Sequence, residues 1–254
     1  MILLVAALLF SIAPLTRAAE DKIGVTLDLT YASKWLTKGA QGYQSDGALF
    51  KTIDLDFYGT GFGVKTTHRN STSSGHVDKQ RFDYRPYYKG VMFDGQPYVT
   101  NYNLSVGYEH YPGLARHRSG TTWEWIFAFS WPQLLANGIV PRYTAHYEYA
   151  AGTDYTKQTG AEIPSGWVHR FGLGYDIETT SLPNPLHLSS EVGYYDGLGG
   201  QVHDWAYANI GLSTSFDLGK GVRLIPAVYH QISMDKSIND DDVTYVMLSM
   251  RYKF

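Results

Sequence analysis

His187, Ser189 and Glu191 occupy alternate positions of one extended run. A serine hydroxyl beside an imidazole is a minimal arrangement for nucleophilic hydrolysis, the imidazole taking the proton as the oxygen attacks. A second chemistry is written in charge. Asp28, Asp54, Asp56, Lys65, Arg81, Asp83, Arg85, Glu124, Arg142, His146, Glu148, Arg170, Asp176, Glu191 and Arg251 all fall on one parity within their runs. Side chains two apart share a face of a strand, so these residues form charged walls. Arg81, Arg85, Arg142 and Arg170 would attract anions, and Asp28, Asp54 and Asp56 opposite them would set a transverse field, as at the narrowing of a water-filled passage. The same side chains could instead pair and close a narrow interior, because an unpaired buried charge costs about several kcal/mol. Parity alone does not choose between a wet interior and a closed one.

Other chemistries are excluded more firmly. There is no cysteine, which removes disulfides, thiolate metal sites and cysteine nucleophiles. His68, His110, His203 and His230 lack metal-ligand spacing, and no cofactor is expected. The formal net charge is −3 with scattered basic residues, which leaves no footprint for nucleic acid. Two charged tracts fall in predicted loops. Arg116-His117-Arg118 could meet the phosphates of lipopolysaccharide and Asp240-Asp241-Asp242 a bridging divalent cation, although solvated loop tips account for both.

The elements that must position these residues are strands. From Gly24 onward apolar residues recur with period two, in runs bounded by Gly, Pro, Asn, Asp or Ser. The runs predict strands over 24–33, 48–58, 61–69, 80–89, 96–108, 121–131, 139–149, 165–176, 185–195, 205–216, 222–231 and 243–254. That is about twelve, an even number, with connections alternating between long and short. No helix, domain boundary or linker interrupts them. In the run 222–231 the facing is open, because Val222, Leu224 and Val228 compete with Ile225, Ala227 and Tyr229 for the apolar side.

Which medium the apolar face meets is decided by its rings. Trp123, Trp125, Phe127, Phe129 and Trp131 share one side of a single run, and with Tyr143, Tyr147 and Phe171 they exceed what one narrow interior can pack. Turned outward, the same rings meet acyl chains and form girdles at headgroup depth. The last run sets Val246, Leu248, Met250, Tyr252 and Phe254 on one face, which resembles the terminal signal read by the barrel assembly machinery. Ahead of the strands, Met1 to Pro14 is an apolar stretch too short to span about 30 Å of hydrocarbon. With small residues at Thr16 and Ala18 it predicts a signal peptide over 1–19, followed by a barrel over 20–254.

The sequence therefore predicts an all-β, transmembrane antiparallel barrel of the bacterial outer membrane, in contact with lipid and lipopolysaccharide. Tyr31-Ala-Ser-Lys-Trp-Leu-Thr-Lys-Gly resembles the strand-then-Arg/Lys-Gly opening of the TorF-like porin family. Leu104-Ser-Val-Gly-Tyr-Glu-His-Tyr-Pro, Val192-Gly-Tyr-Tyr-Asp-Gly and Leu224-Ile-Pro-Ala-Val-Tyr-His are similar to its later strands. The resemblance implies a pore function, without catalytic residues to carry over. The expected role is passive passage of small polar solutes, ahead of a closed barrel that presents its loops. A hydrolase comes third. The His187/Ser189 pair is similar to that of outer-membrane lipid A deacylases, but those need the serine on the lipid side, and parity turns this one inward.

Overall fold

The computed structural model describes residues 22–43, 46–76, 80–112, 121–150, 165–178, 184–200 and 203–254. The predicted signal peptide and the Arg116-His117-Arg118 cluster lie outside the described residues. Twelve antiparallel strands close on themselves: β1 (Gly24–Ala32), β4 (Ala48–Asp56), β5 (Phe62–Ser71), β6 (Gln80–Met92), β7 (Thr100–His110), β8 (Thr122–Ser130), β9 (Val140–Ala150), β10 (Gly166–Ile177), β11 (Leu186–Asp196), β12 (Asp204–Ser213), β14 (Val222–Ser233) and β15 (Val243–Lys253). Neighbours in sequence pair in turn, β12 pairs with β14, and the seam between β1 and β15 completes the ring. Closure removes every strand edge, which a sheet in hydrocarbon cannot leave unpaired. Helix among the described residues is confined to short 3₁₀ turns.

Three short strands depart from the prediction. β2 (Trp35–Thr37) and β3 (Ala40–Gly42) form a hairpin of their own inside the long β1–β4 connection. β13 (Phe216–Gly219) folds back on the start of β14, so the run predicted to 216 ends at Ser213. The run predicted from 96 begins at Thr100, because Phe93 and Gly95 take positive φ and carry the chain round a turn. Elsewhere the predicted boundaries fall within three residues of the observed ones.

The barrel is apolar outside and polar within. Leu27, Leu29, Tyr31, Phe171, Leu173, Val246, Leu248 and Met250 are exposed on the outer face. Rings run from strand to strand around it: Tyr108–Trp123 at 4.8 Å, Tyr143–Phe171 at 5.1 Å and Tyr147–Trp167 at 5.0 Å between centroids. Such a band is stable only against acyl chains, and the protein is an integral barrel of the bacterial outer membrane. The facing of β14 is settled by register. Arg223 is opposite Arg251 and Tyr229 opposite Tyr245, which places Arg223, Ile225, Ala227, Tyr229 and Gln231 inside and Leu224 and Val228 against lipid. Leu248, at the centre of β15, offers a direct check. Leu248→Arg is expected to cost about 2–4 kcal/mol, the range for a cation at bilayer midplane, read as a fall in the urea midpoint of unfolding from vesicles. A change near zero would place this face away from acyl chains.

Candidate functional site

The β1–β4 connection does not stand out from the barrel but folds into it. At its tip Lys38 and Gly39 both take positive φ, 51° and 89°, the geometry of a two-residue hairpin turn whose twist matches the flanking strands. The tip crosses to the opposite wall. The Lys38 ammonium pairs with Glu124 on β8 and Glu148 on β9. Tyr195 on β11 donates its hydroxyl to the Lys38 carbonyl at 2.7 Å, and Gln231 on β14 donates its amide to the Gly39 carbonyl at 2.7 Å. Gln41 donates to Asn239 at 2.7 Å. A Cβ on Gly39 would lie 2.4 Å from the Tyr207 ring, so the tip rests on that ring without room for a side chain. Tyr207 in turn donates to Glu191 at 2.7 Å.

The root of the hairpin is held by packing and by cations. Trp35, Tyr43 and Ala48 are buried together with Phe50 against them. The Trp35 ring has the guanidinium carbons of Arg69 and Arg81 each 5.5 Å from its centroid, a cation–π arrangement that desolvation strengthens. Arg81 is 4% exposed. It donates to Asp83 at 2.6 Å, to Tyr111 at 3.2 Å and to Glu109, while Arg69 pairs with Asp83 at 2.5 Å. Burial pushes the Lys38 ammonium down, but Glu124, Glu148 and Glu109 outweigh it and hold the group protonated above its ordinary range. Carboxylate oxygens of Glu109, Glu124 and Glu148 come within 4.8 Å of one another, and Lys38 supplies the positive charge that such a cluster requires.

Toward the short-turn end the interior opens into a cavity of about 810 Å³. Its walls carry six cations, Lys65, Arg69, Arg85, Arg223, Arg251 and Lys253, against three carboxylates, Asp28, Asp54 and Asp83, so its field favours anions. The ceiling is the hairpin itself, through Trp35 and Leu36. Hydrogen bonds fix the polar wall: Tyr87 donates to Asp54 at 2.8 Å, Thr30 to Asp28 at 2.6 Å, and Arg251 to Asp28 at 2.9 Å. Lys89 pairs with Asp56 at 2.6 Å.

By register, the charged residues singled out from the sequence all sit at inward positions, in three groups. Arg81, Asp83, Glu124 and Glu148 anchor the hairpin. Asp28, Asp54, Lys65, Arg85 and Arg251 surround the cavity, Arg85 also reaching Glu124 at 2.9 Å, and Asp56 pairs with Lys89 outside its lining. Arg142, His146, Arg170, Asp176 and Glu191 form the far wall, where Arg170 meets His146 at 2.7 Å and Glu191 at 3.5 Å. In the strand order, β9 and β10 lie across the ring from β1 and β4, while β6 is only two strands from β4. Arg142 and Arg170 therefore oppose Asp28 and Asp54, and Arg81 and Arg85 do not.

The other candidate chemistries find little support in the geometry. Ser189 donates to the Gly211 carbonyl at 3.4 Å, and His187 is turned to Asp176 at 2.6 Å. Both sit on the lumen side, away from lipid. His68 stacks on Phe82 at 4.2 Å, His203 meets Asp196 and His230 meets Thr244. Asp242 closes its own loop by accepting from the Ser233 amide at 2.8 Å. Sequence reasoning missed Lys38, Trp35, Gln231 and Arg223.

Among solved structures the chain is similar to the NanC porin, with TM-score 0.56 and 9% identity over 90% of this chain and 100% of that one. It is similar to the KdgM porin, with TM-score 0.54 and 10% identity over 90% and 99% of the two chains. Outer membrane phospholipase A from Escherichia coli aligns with TM-score 0.50 and 14% identity over 89% and 92%. No family model matches the chain, and no curated protein does. At these identities the likeness is one of fold. The protein is a twelve-stranded outer-membrane β-barrel, a fold that both porins and an enzyme use.

Proposed function

We propose that the protein is a porin-like channel for passive diffusion of small polar solutes, of the kind that the TorF-like resemblance implies. The observation that carries this reading is the charged cavity inside a closed barrel. A structural barrel with no passage would be expected to fill this space with side chains that complement one another. Here cations outnumber carboxylates and the space stays open to water. The hairpin crosses the interior above the cavity, so on this reading solute passage depends on its position.

The test is single-channel recording of the refolded barrel in a planar bilayer, with reversal potential under a salt gradient. Reproducible current steps with anion preference are expected. A correctly folded barrel that stays silent under all voltages would overturn the reading. The docked hairpin favours a second reading, a closed barrel that acts through its loops, and silence would select it.

A further inference from the structure

Arg223 and Arg251 are directly opposed across β14 and β15, and Lys65 and Arg85 across β5 and β6. Like charges facing each other in an antiparallel pair are destabilising unless an opposite charge lies between them. A third such pair, Arg69 and Arg81, shows how this barrel reconciles them: the Asp83 carboxylate bridges both guanidinium groups. The other two pairs have no bridging carboxylate. Arg251 turns its Nε to Asp28 and Arg85 turns to Glu124. Arg223 and Lys253 enter no ion pair among the described residues, and Lys65 lies opposite Asp54 across β4 and β5 without a carboxylate shared with Arg85. All five cations line the one cavity.

We propose that this cavity binds small multivalent organic anions, a solute carboxylate or phosphate taking between Arg223 and Arg251 the place that Asp83 takes between Arg69 and Arg81. Arg223 is the principal ligand, with Arg251 and Lys253 beside it on β15. Lys65 and Arg85 receive a second anionic group from the wall beyond Thr26 and Asp54. A planar guanidinium matches a carboxylate or phosphate edge in a way that water cannot. The inference deepens the channel reading by naming its solute class, and it rests on that reading for passage but not for binding.

Citrate is the probe. Titration calorimetry on the barrel refolded in an uncharged detergent at low salt is expected to show binding. Arg223→Gln is expected to weaken it by about tenfold or more, the scale of one charge-assisted hydrogen bond. Lys220→Gln, in the exposed turn before β14 and not among the residues that line the cavity, should leave it unchanged. Lys253→Gln serves in the same role as Arg223→Gln if that variant does not fold. Undetectable citrate binding, or equal loss in the Lys220 control, overturns the proposal. A phosphate of a lipid headgroup has the same chemistry, so the titration is repeated in vesicles with anionic lipid. Citrate binding lost only there, by competition, would assign the site to lipid and overturn the solute assignment. Conductance in chloride on the same samples tests passage separately: a conducting barrel that ignores citrate sinks the site alone, and a silent barrel that binds it sinks the channel alone.

Discussion

Replacing Lys38 by alanine is expected to undock the inward hairpin and raise single-channel conductance. The ammonium is the common partner of Glu124 and Glu148, and Glu124 is only 1% exposed. Removing one member of a buried ion pair costs about 3–5 kcal/mol, because the other charge is left without compensation. That is a factor of more than about a hundred in the ratio of docked to undocked hairpin. Lys38→Glu should act further in the same direction by adding a fourth carboxylate to the cluster of Glu109, Glu124 and Glu148. The barrel strands do not depend on the contact, so both variants should retain heat-resistant migration in gels. Conductance unchanged in both would show that the hairpin does not limit the path. The wild-type latch should also hold across alkaline pH. A group raised in the folded state contributes stability that is complete below its ordinary value, 10.5 for this lysine, and lost only as pH climbs past the folded value. Lys38 should therefore cause no change in conductance between about pH 7 and pH 10.

Arg81→Ala is expected to be the most damaging single change inside the barrel. The guanidinium satisfies Asp83, Glu109 and Tyr111 while lying against the Trp35 ring. Its loss leaves Glu109, 3% exposed, without its cation. Asp83 keeps only Arg69. A cost of about 3–5 kcal/mol is expected in urea unfolding from vesicles. Adding Glu109→Gln to the Arg81→Ala change should recover part of it, since the uncompensated charge is then gone. A loss below about 1 kcal/mol, the value of an exposed pair, would mean that water reaches the cluster.

The twelve staves were legible because the barrel interior and the lipid impose opposite demands on alternate residues. Trp123 to Trp131 could take only one orientation, and the apolar runs were bounded by Gly, Pro, Asn, Asp or Ser. The hairpin was not legible for the opposite reason. Its partners lie on β8, β9, β11 and β14, so no local periodicity records them, and Trp35 to Gly42 reads as the start of a long loop. The Lys38-Gly39 turn was the one available signal, and a two-residue turn says nothing of where it points. Arg223 was missed because β14 is mixed on both faces. Its inner side carries Ile225, Ala227 and Tyr229, the last stacked on Tyr245 at 5.1 Å, so hydrophobicity could not orient it. The candidate charged residues were legible as a face, but which of them anchor the hairpin and which border open space depended on pairing across the ring.

The docking of the hairpin also orders events in time. Its lysine follows the first strand, yet the carbonyl of Gly39 is bonded by a glutamine 192 residues later in the chain, on a strand that lies next to the last. That bond can form only once β14 has been made and brought across to the tip. A growing barrel accordingly leaves the Gly39 carbonyl without its glutamine until β14 is in place, while the Lys38 amine can meet Glu124 and Glu148 on β8 and β9 earlier. Full docking of the hairpin thus waits for the last strands of the barrel.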